Sequence, residues 1–344
     1  MDELSSRQKQ ILQAIIEDYI SNAMPVGSRT ISKNFALSSA TIRNEMSDLE
    51  ELGYLEQPHT SAGRIPSNKA YRFYVDNMLT LSKLSLAEIR YIKSYYDKRM
   101  DETTEVLADA ARVISDLTHY VSIVLPPKAK DVKVSSLQLM RVNPSVAMVI
   151  LLTDSGSVQN TPITLPRAMS MEELESMSHL LNKMFAGKSV TEIRPGAQFT
   201  VENEMSDQKQ IFDAICTVLE RRLINKQDEV VIEGTSKVLS HQEFADVDRA
   251  RELLQLLEQN KRIGKIISSD NDQPVQVHIG TETGLNDVSI VTASYSAGGK
   301  NLGKIGVIGP TRMQYDKVLS VLEQMGKTLS KIFGENISED EDVE

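Results

Sequence analysis

The segment that opens at Ser38 or Ser39 and stops at Gly53 is the strongest constraint on the fold. At about 100° per residue, Ile42, Met46, Leu49 and Gly53 gather on one face, with Leu52 at its edge. Ala40, Asn44, Ser47 and Glu51 take the opposite face, flanked by Thr41 and Arg43. A helix patterned this way buries one stripe and needs partners for it. Two candidates lie just upstream. Residues 5–21 read as a helix capped by Ser5 or Ser6, with Ile11, Leu12, Ile15, Ile16, Tyr19 and Ile20 on one broad face. Pro25 biases Met24 away from helix, and a second short helix runs from about Ser28 to Phe35. Downstream, Tyr54–Glu56 reads as a short strand. Gln57–Ser67, holding Pro58, Gly63 and Pro66, reads as a loop or hairpin tip, and Asn68–Met78 as another helix.

Three short helices followed by strand, loop and strand is the layout of a winged helix-turn-helix. In that layout the third helix is the reading element. The small, amide and guanidinium groups near its start suit base edges and phosphates, and the helix N-terminus itself favours a phosphate. The candidate DNA contacts are Ser39, Ala40, Thr41, Arg43, Asn44 and Ser47. To these are added Arg29, then Arg64 beside Gly63 at the hairpin tip, and Lys69 and Arg72 as phosphate clamps. Charge is sorted accordingly. Residues 21–44 carry Arg29, Lys33 and Arg43 and no acid, and residues 57–75 carry Arg64, Lys69 and Arg72 and no acid. Glu45, Asp48, Glu50, Glu51 and Glu56 all fall between. The whole chain has a net charge of −10, which excludes a polycationic binder, so phosphate contact must come from a local patch with strong salt dependence. The same pattern also suits a protein-interaction module with an ordinary solvated face, and on pattern alone both readings stand. Tyr71, Phe73 and Tyr74 are expected to pack the helix that follows the wing.

The texture changes after about residue 80. Residues 86–117 read as one long amphipathic helix. Strands are expected at 121–125, 134–142, 146–153, 158–165, 229–233, 275–279, 287–295 and 302–308. Helices are expected at 171–186, 207–226, 243–260 and 312–333, with an acidic, disordered tail at 338–344. Strands before 165 and after 272 pair most simply in one sheet, leaving the helical stretch between them as an insertion. Leu174, Met177, Leu180, Leu181 and Met184 follow helical spacing, as a dimer interface or as the insertion's own core.

Several chemistries find no support. Cys216 is the single cysteine, which excludes an intramolecular disulfide framework and a multi-cysteine metal cluster, and it reads as a small core residue. The five histidines are scattered, and no nucleophile–base or metal constellation is recognisable, so neither catalysis nor a cofactor is expected. Gly298–Lys304 lacks P-loop spacing and reads as a hairpin turn. Ser6-Arg7-Gln8-Lys9 has no supporting motif, and Asp270 and Asp272 lack the further ligands of a calcium loop. The longest apolar run, Val146–Leu152, is far short of the ~20 residues of a spanning helix. The N-terminus has no signal-peptide pattern, so a cytoplasmic location is expected, with no membrane partner.

The residue strings go further than the pattern. Ser38-Ser39-Ala40-Thr41-Ile42-Arg43-Asn44-Glu45-Met46, Leu49-Glu50-Glu51-Leu52-Gly53-Tyr54-Leu55, Gln57-Pro58-His59-Thr60-Ser61-Ala62-Gly63-Arg64-Ile65-Pro66 and Lys69-Ala70-Tyr71-Arg72-Phe73-Tyr74-Val75-Asp76 resemble the HrcA family of bacterial heat-inducible transcription repressors. The resemblance is dense over residues 5–79. It implies a homodimer on an inverted-repeat operator, the CIRCE element, upstream of chaperone operons, released by heat and assisted by the GroEL chaperonin. It also implies a multidomain α+β architecture. A winged helix-turn-helix would occupy 1–80, a GAF-like α+β domain 81–167 and 239–337, an inserted α/β dimerisation domain 168–238, and an acidic tail 338–344. The competing expectation is a ligand-sensing regulator whose GAF-like domain binds a small molecule. It would be told apart by a melting point that shifts with a metabolite.

Overall fold

The computed structural model describes residues 4–96, 103–126, 133–153, 158–165, 167–189, 230–259, 263–264, 266–267, 274–297 and 300–341. Helix α1 (Ser6–Asn22) opens with a capping box. Ser5 Oγ accepts from the Gln8 N–H, and the Gln8 side chain accepts from the Ser5 N–H. Its Ile11, Leu12, Ile15 and Ile16 are buried. Helix α2 (Ser28–Ser32) is shorter than expected because its last turn tightens. Lys33, Asn34 and Phe35 each donate to a carbonyl three residues back instead of four. Helix α3 (Ser39–Glu51) is capped by Ser38 and buries Ile42, Met46 and Leu49. Gly53 is a correction to the helical-face reading. It lies beyond the helix, exposed, at φ 78°, and terminates it.

Strand β1 (Leu55–Glu56) pairs antiparallel with β2 (Ile65–Pro66). Arg64 extends the ribbon sideways, exchanging both backbone hydrogen bonds with Val26 at 2.8 and 2.9 Å. The crossing is tight enough that a Cβ on Gly63 would fall 2.4 Å from the Val26 carbonyl oxygen. Helix α4 (Asn68–Asn77) follows, capped by Ser67; of the three aromatic residues expected to pack it, Tyr71 and Tyr74 are buried and Phe73 is half-buried, its ring 5.5 Å from that of Tyr54.

The single helix expected over 86–117 is two, α5 (Leu86–Tyr96) and α6 (Thr103–Thr118). The Tyr91 hydroxyl donates to the Asp116 carboxylate at 3.1 Å, whereas 25 residues of continuous helix would part them by roughly 37 Å. The body that follows contains β3 (Val121–Leu125), β4 (Val134–Asn143), β5 (Val146–Thr153), β6 (Val158–Thr164), α7 (Met171–Phe185), β7 (Val231–Glu233), α8 (Val247–Glu258), β8 (Val275–Ile279), β9 (Val288–Ala297), β10 (Lys300–Pro310) and α9 (Tyr315–Glu341). Among the described residues the main sheet runs β7–β3–β10–β9–β8, antiparallel throughout. Strands β9 and β10 pair from Ala297 and Lys300 onward, so residues 300–304 of the expected turn are strand, and Gly298 and Gly299 lie outside the described residues. One face of the sheet packs α6 and α9 through Val291, Tyr295, Ile305 and Val307. The other packs α8 through Ile123, Ile290 and Ile308.

Strands β4, β5 and β6 do not join that sheet. They form their own, in the order β4–β5–β6, with α7 packed on one side. The expectation of one sheet from strands before 165 and after 272 therefore fails for these three strands. Alternation along β5 sends Ala147, Val149 and Leu151 toward α7, which completes a core without the main sheet. Leu174, Met177 and Leu181 are buried in that core, so this helix packs the insertion. Helix α7 also covers the edge of β4. Ser178 Oγ accepts from the Leu139 N–H at 2.9 Å, and the Asn182 amide bonds both backbone groups of Leu137. The helix expected at 207–226 with Cys216, and Asp270 and Asp272, lie outside the described residues. The acidic tail is helical through Glu341, a correction to its expected disorder: α9 meets no proline over this stretch, and Glu is a good helix former.

The core of the N-terminal module is continuous with that of the body. Ile11, Ile15, Leu49 and Tyr71 belong to the same cluster as Val318, Leu322 and Met325 of α9. Among the described residues no helix is long and apolar enough to cross a membrane.

Candidate nucleic-acid interface

Helix α3 presents its start to solvent because its middle is anchored. Ile42, Met46 and Leu49 are no more than 4% exposed, and Arg7 Nη1 lies 3.2 Å from the Glu45 carboxylate, tying α1 to the same helix. With that stripe fixed, Ala40, Arg43 and Asn44 face outward and Ser39, Thr41 and Ser47 are half-exposed. Among the described residues the side chains of Arg43 and Asn44 make no hydrogen bond or ion pair. Thr41 is partly committed. Its N–H donates to Ser38 Oγ at 3.1 Å, and the two hydroxyls are 2.9 Å apart. Arg29, at the second position of α2, is exposed, and α2 packs directly on α3. Lys33, noted from sequence for its charge but not among the expected DNA contacts, is exposed on the same acid-free stretch.

The other three basic candidates are placed differently from the expectation. Arg64 is not at the hairpin tip. It sits where the ribbon crosses Val26, with its guanidinium 2.8 Å from Glu50 Oε2 and its side chain only 19% exposed. Lys69 donates to the Leu52 carbonyl at 2.7 Å and lies 4.4 Å from the centre of the Tyr54 ring. It satisfies the C-terminal end of α3, where a cation is favoured. Arg72 turns away from α3 altogether. It donates to the Val277 carbonyl at 2.5 Å and to the Glu282 carboxylate. A guanidinium held by a body carbonyl and a carboxylate is not a free phosphate clamp, and this corrects the reading of Arg72. Glu50 and Glu282, the partners that decide these placements, carry no local sequence signal, since each meets its arginine only through the fold.

Among the described residues no group of three or more His, Cys, Asp or Glu side chains is arranged to hold a metal ion. A buried-stripe helix with a free, acid-poor N-terminal half, flanked by a two-stranded ribbon, defines a winged-helix DNA-binding protein.

Comparison with known proteins sharpens that class. The family described as "Winged helix-turn-helix transcription repressor, HrcA DNA-binding" matches residues 3–79, and "HrcA protein C terminal domain" matches residues 104–319. The chain is 41% identical to the "Heat-inducible transcription repressor HrcA" of Brevibacillus brevis, over 96% of this chain and 98% of that protein. It is 40% identical to the protein of the same description in Halalkalibacterium halodurans, over 96% and 97%. A solved structure described as a hypothetical protein at 2.2 Å superposes with a TM-score of 0.65 at 28% identity, covering 97% of this chain and all of that one. The chain belongs to the HrcA family.

Proposed function

We propose that the protein is a heat-inducible transcription repressor that binds an inverted-repeat operator of the CIRCE type as a homodimer, without catalytic activity. The observation that carries this reading is the pair Arg43 and Asn44, exposed and uncommitted at the start of a helix whose opposite stripe is fully buried. Arg29, Ser39, Ala40 and Ser47 extend the same surface, Thr41 shapes its cap, and Arg64 and Lys69 support it from the wing and the helix end. Family membership supports the repressor role and its heat-inducible character; the cytoplasmic location and the assistance of the GroEL chaperonin are part of the same proposal.

An antiparallel sheet with helices on both faces supports a GAF-like reading of the main body. The dimer is placed in the unit of β4–β6 and α7, which moves the insertion from the expected 168–238 back to the start of β4 and returns β7 to the main sheet. Its sheet turns Met140, Met148 and Pro162, neighbours across the three strands, away from α7, and Met140 is 50% exposed. A second copy of the same apolar face is the self-complementary partner that two-fold symmetry requires. The test is DNase footprinting of the purified protein on a chaperone-operon promoter, at two temperatures and with and without GroEL. Protection of an inverted repeat, lost on warming, is the expected result. No protection under any condition overturns the reading.

A further inference from the structure

The N-terminal module is joined to the body at two polar ties with a buried contact between them. In the first tie, Glu282 Oε2 accepts from Arg72 and, at 2.9 Å, from the Ile279 N–H, so the acceptor is itself held in place. Thr283 Oγ1 donates to the Gly280 carbonyl at 2.9 Å and fixes the turn that carries both. Gly280 sits at φ 57°, and a Cβ there would fall 2.1 Å from Asn68 Nδ2. The first turn of α4 thus seats in a hollow that glycine leaves open. In the second tie, Arg312 donates to the Ile20 carbonyl at 3.1 Å, near the end of α1, and pairs with Glu243. Both members of that pair are less than a fifth exposed. Between the ties the buried Tyr71 ring lies 6.2 Å from that of Tyr315.

Contacts at the end of α1 and along one face of α4, at Asn68, Tyr71 and Arg72, hold the module through two separate helices and restrict its freedom to swivel. The direction in which Arg43 and Asn44 point is therefore set by the body. We propose that this seam, with Arg72 and Gly280 as positioning residues, determines which half-site spacing the protein accepts. The inference rests on the dimer reading above. In a two-fold dimer the separation of the recognition helices follows from how each module sits on its own body. Each base pair added between half-sites moves one of them by about 3.4 Å and turns it about the duplex axis, and a module clamped at the seam does not follow.

The experiment uses the full chain and its Arg72→Met, Gly280→Ala and Glu282→Gln variants, the last keeping an acceptor for Ile279. Gel shifts compare the inverted repeat, the same repeat with its spacer changed by one or two base pairs, and a single half-site. The wild type is expected to lose about tenfold or more on altered spacers, and the variants markedly less. The variants should match the wild type on the single half-site and in sedimentation, which a merely destabilised protein would not. Variants with the wild-type spacing profile overturn the proposal, as does a dimeric wild type that accepts every spacing equally. A wild type that sediments as a monomer on the inverted repeat overturns the dimer reading and this inference with it.

Discussion

Arg64 Nη2 lies 2.8 Å from Glu50 Oε2, which braces the wing against the last turn of the recognition helix. Both side chains are less than a third exposed, so their coupling belongs at the upper end for a pair near the surface, about 1 kcal/mol. A double-mutant cycle with Glu50→Ala and Arg64→Ala, followed by urea unfolding, measures it. Strictly additive losses would remove the brace from the account.

Arg43→Ala and Asn44→Ala are each expected to cost about 1–3 kcal/mol of operator binding and to narrow the preference over random DNA. Stability should stay within about 0.5 kcal/mol of the wild type, because neither side chain has a partner among the described residues. Gel shifts and thermal melts on the same samples separate the two effects. Unchanged specificity in both variants would reject the assignment of this face.

Ile42, one residue away, should behave in the opposite way. It is fully buried, and Ile42→Ala is expected to cost about 2–5 kcal/mol of stability. Operator binding by the fraction that remains folded should be close to normal, which a titration corrected for active protein can check.

Glu88 gives a pH prediction. Its hydrogen bond from Lys317, helped by the Ser85 N–H and hydroxyl, holds its carboxyl down to about 2. A carboxylate whose pKa is depressed by folding stabilises the native state above its ordinary range. That contribution fades as the pH falls from the ordinary range toward about 2. Glu88→Gln should flatten this part of the acid-unfolding curve and leave the slope near neutral pH unchanged. An unaltered acid limb would count against the Lys317 contact.

Met140→Asp places a charge on the outward face of the β4–β6 sheet. It is expected to shift the protein toward monomers in sedimentation velocity without loss of secondary structure. A variant that remains dimeric would move the interface elsewhere.

The winged helix was legible because its determinants are local. Ser5, Ser38 and Ser67 each cap the helix that follows, and the buried stripe of α3 repeats within four turns. The same local reading did not separate β4–β6 from the main sheet, because alternation in a strand reveals a buried face but not the neighbour that buries it. Arg72 shows the limit most clearly. Its chemistry suits a phosphate, and only partners 205 and 210 residues away show that it belongs to the seam. The outward pair Arg43 and Asn44 was readable because solvent exposure on a helix follows from periodicity alone.

Among the described residues one hydrophobic interior runs from Ile11 in the first helix to Phe333 in the last. The N-terminal module shares its buried core with the body. Loosening of the larger half is therefore expected to unseat the helix that carries Arg43 and Asn44 in the same transition, which coincident loss of calorimetric structure and DNA binding on warming would check.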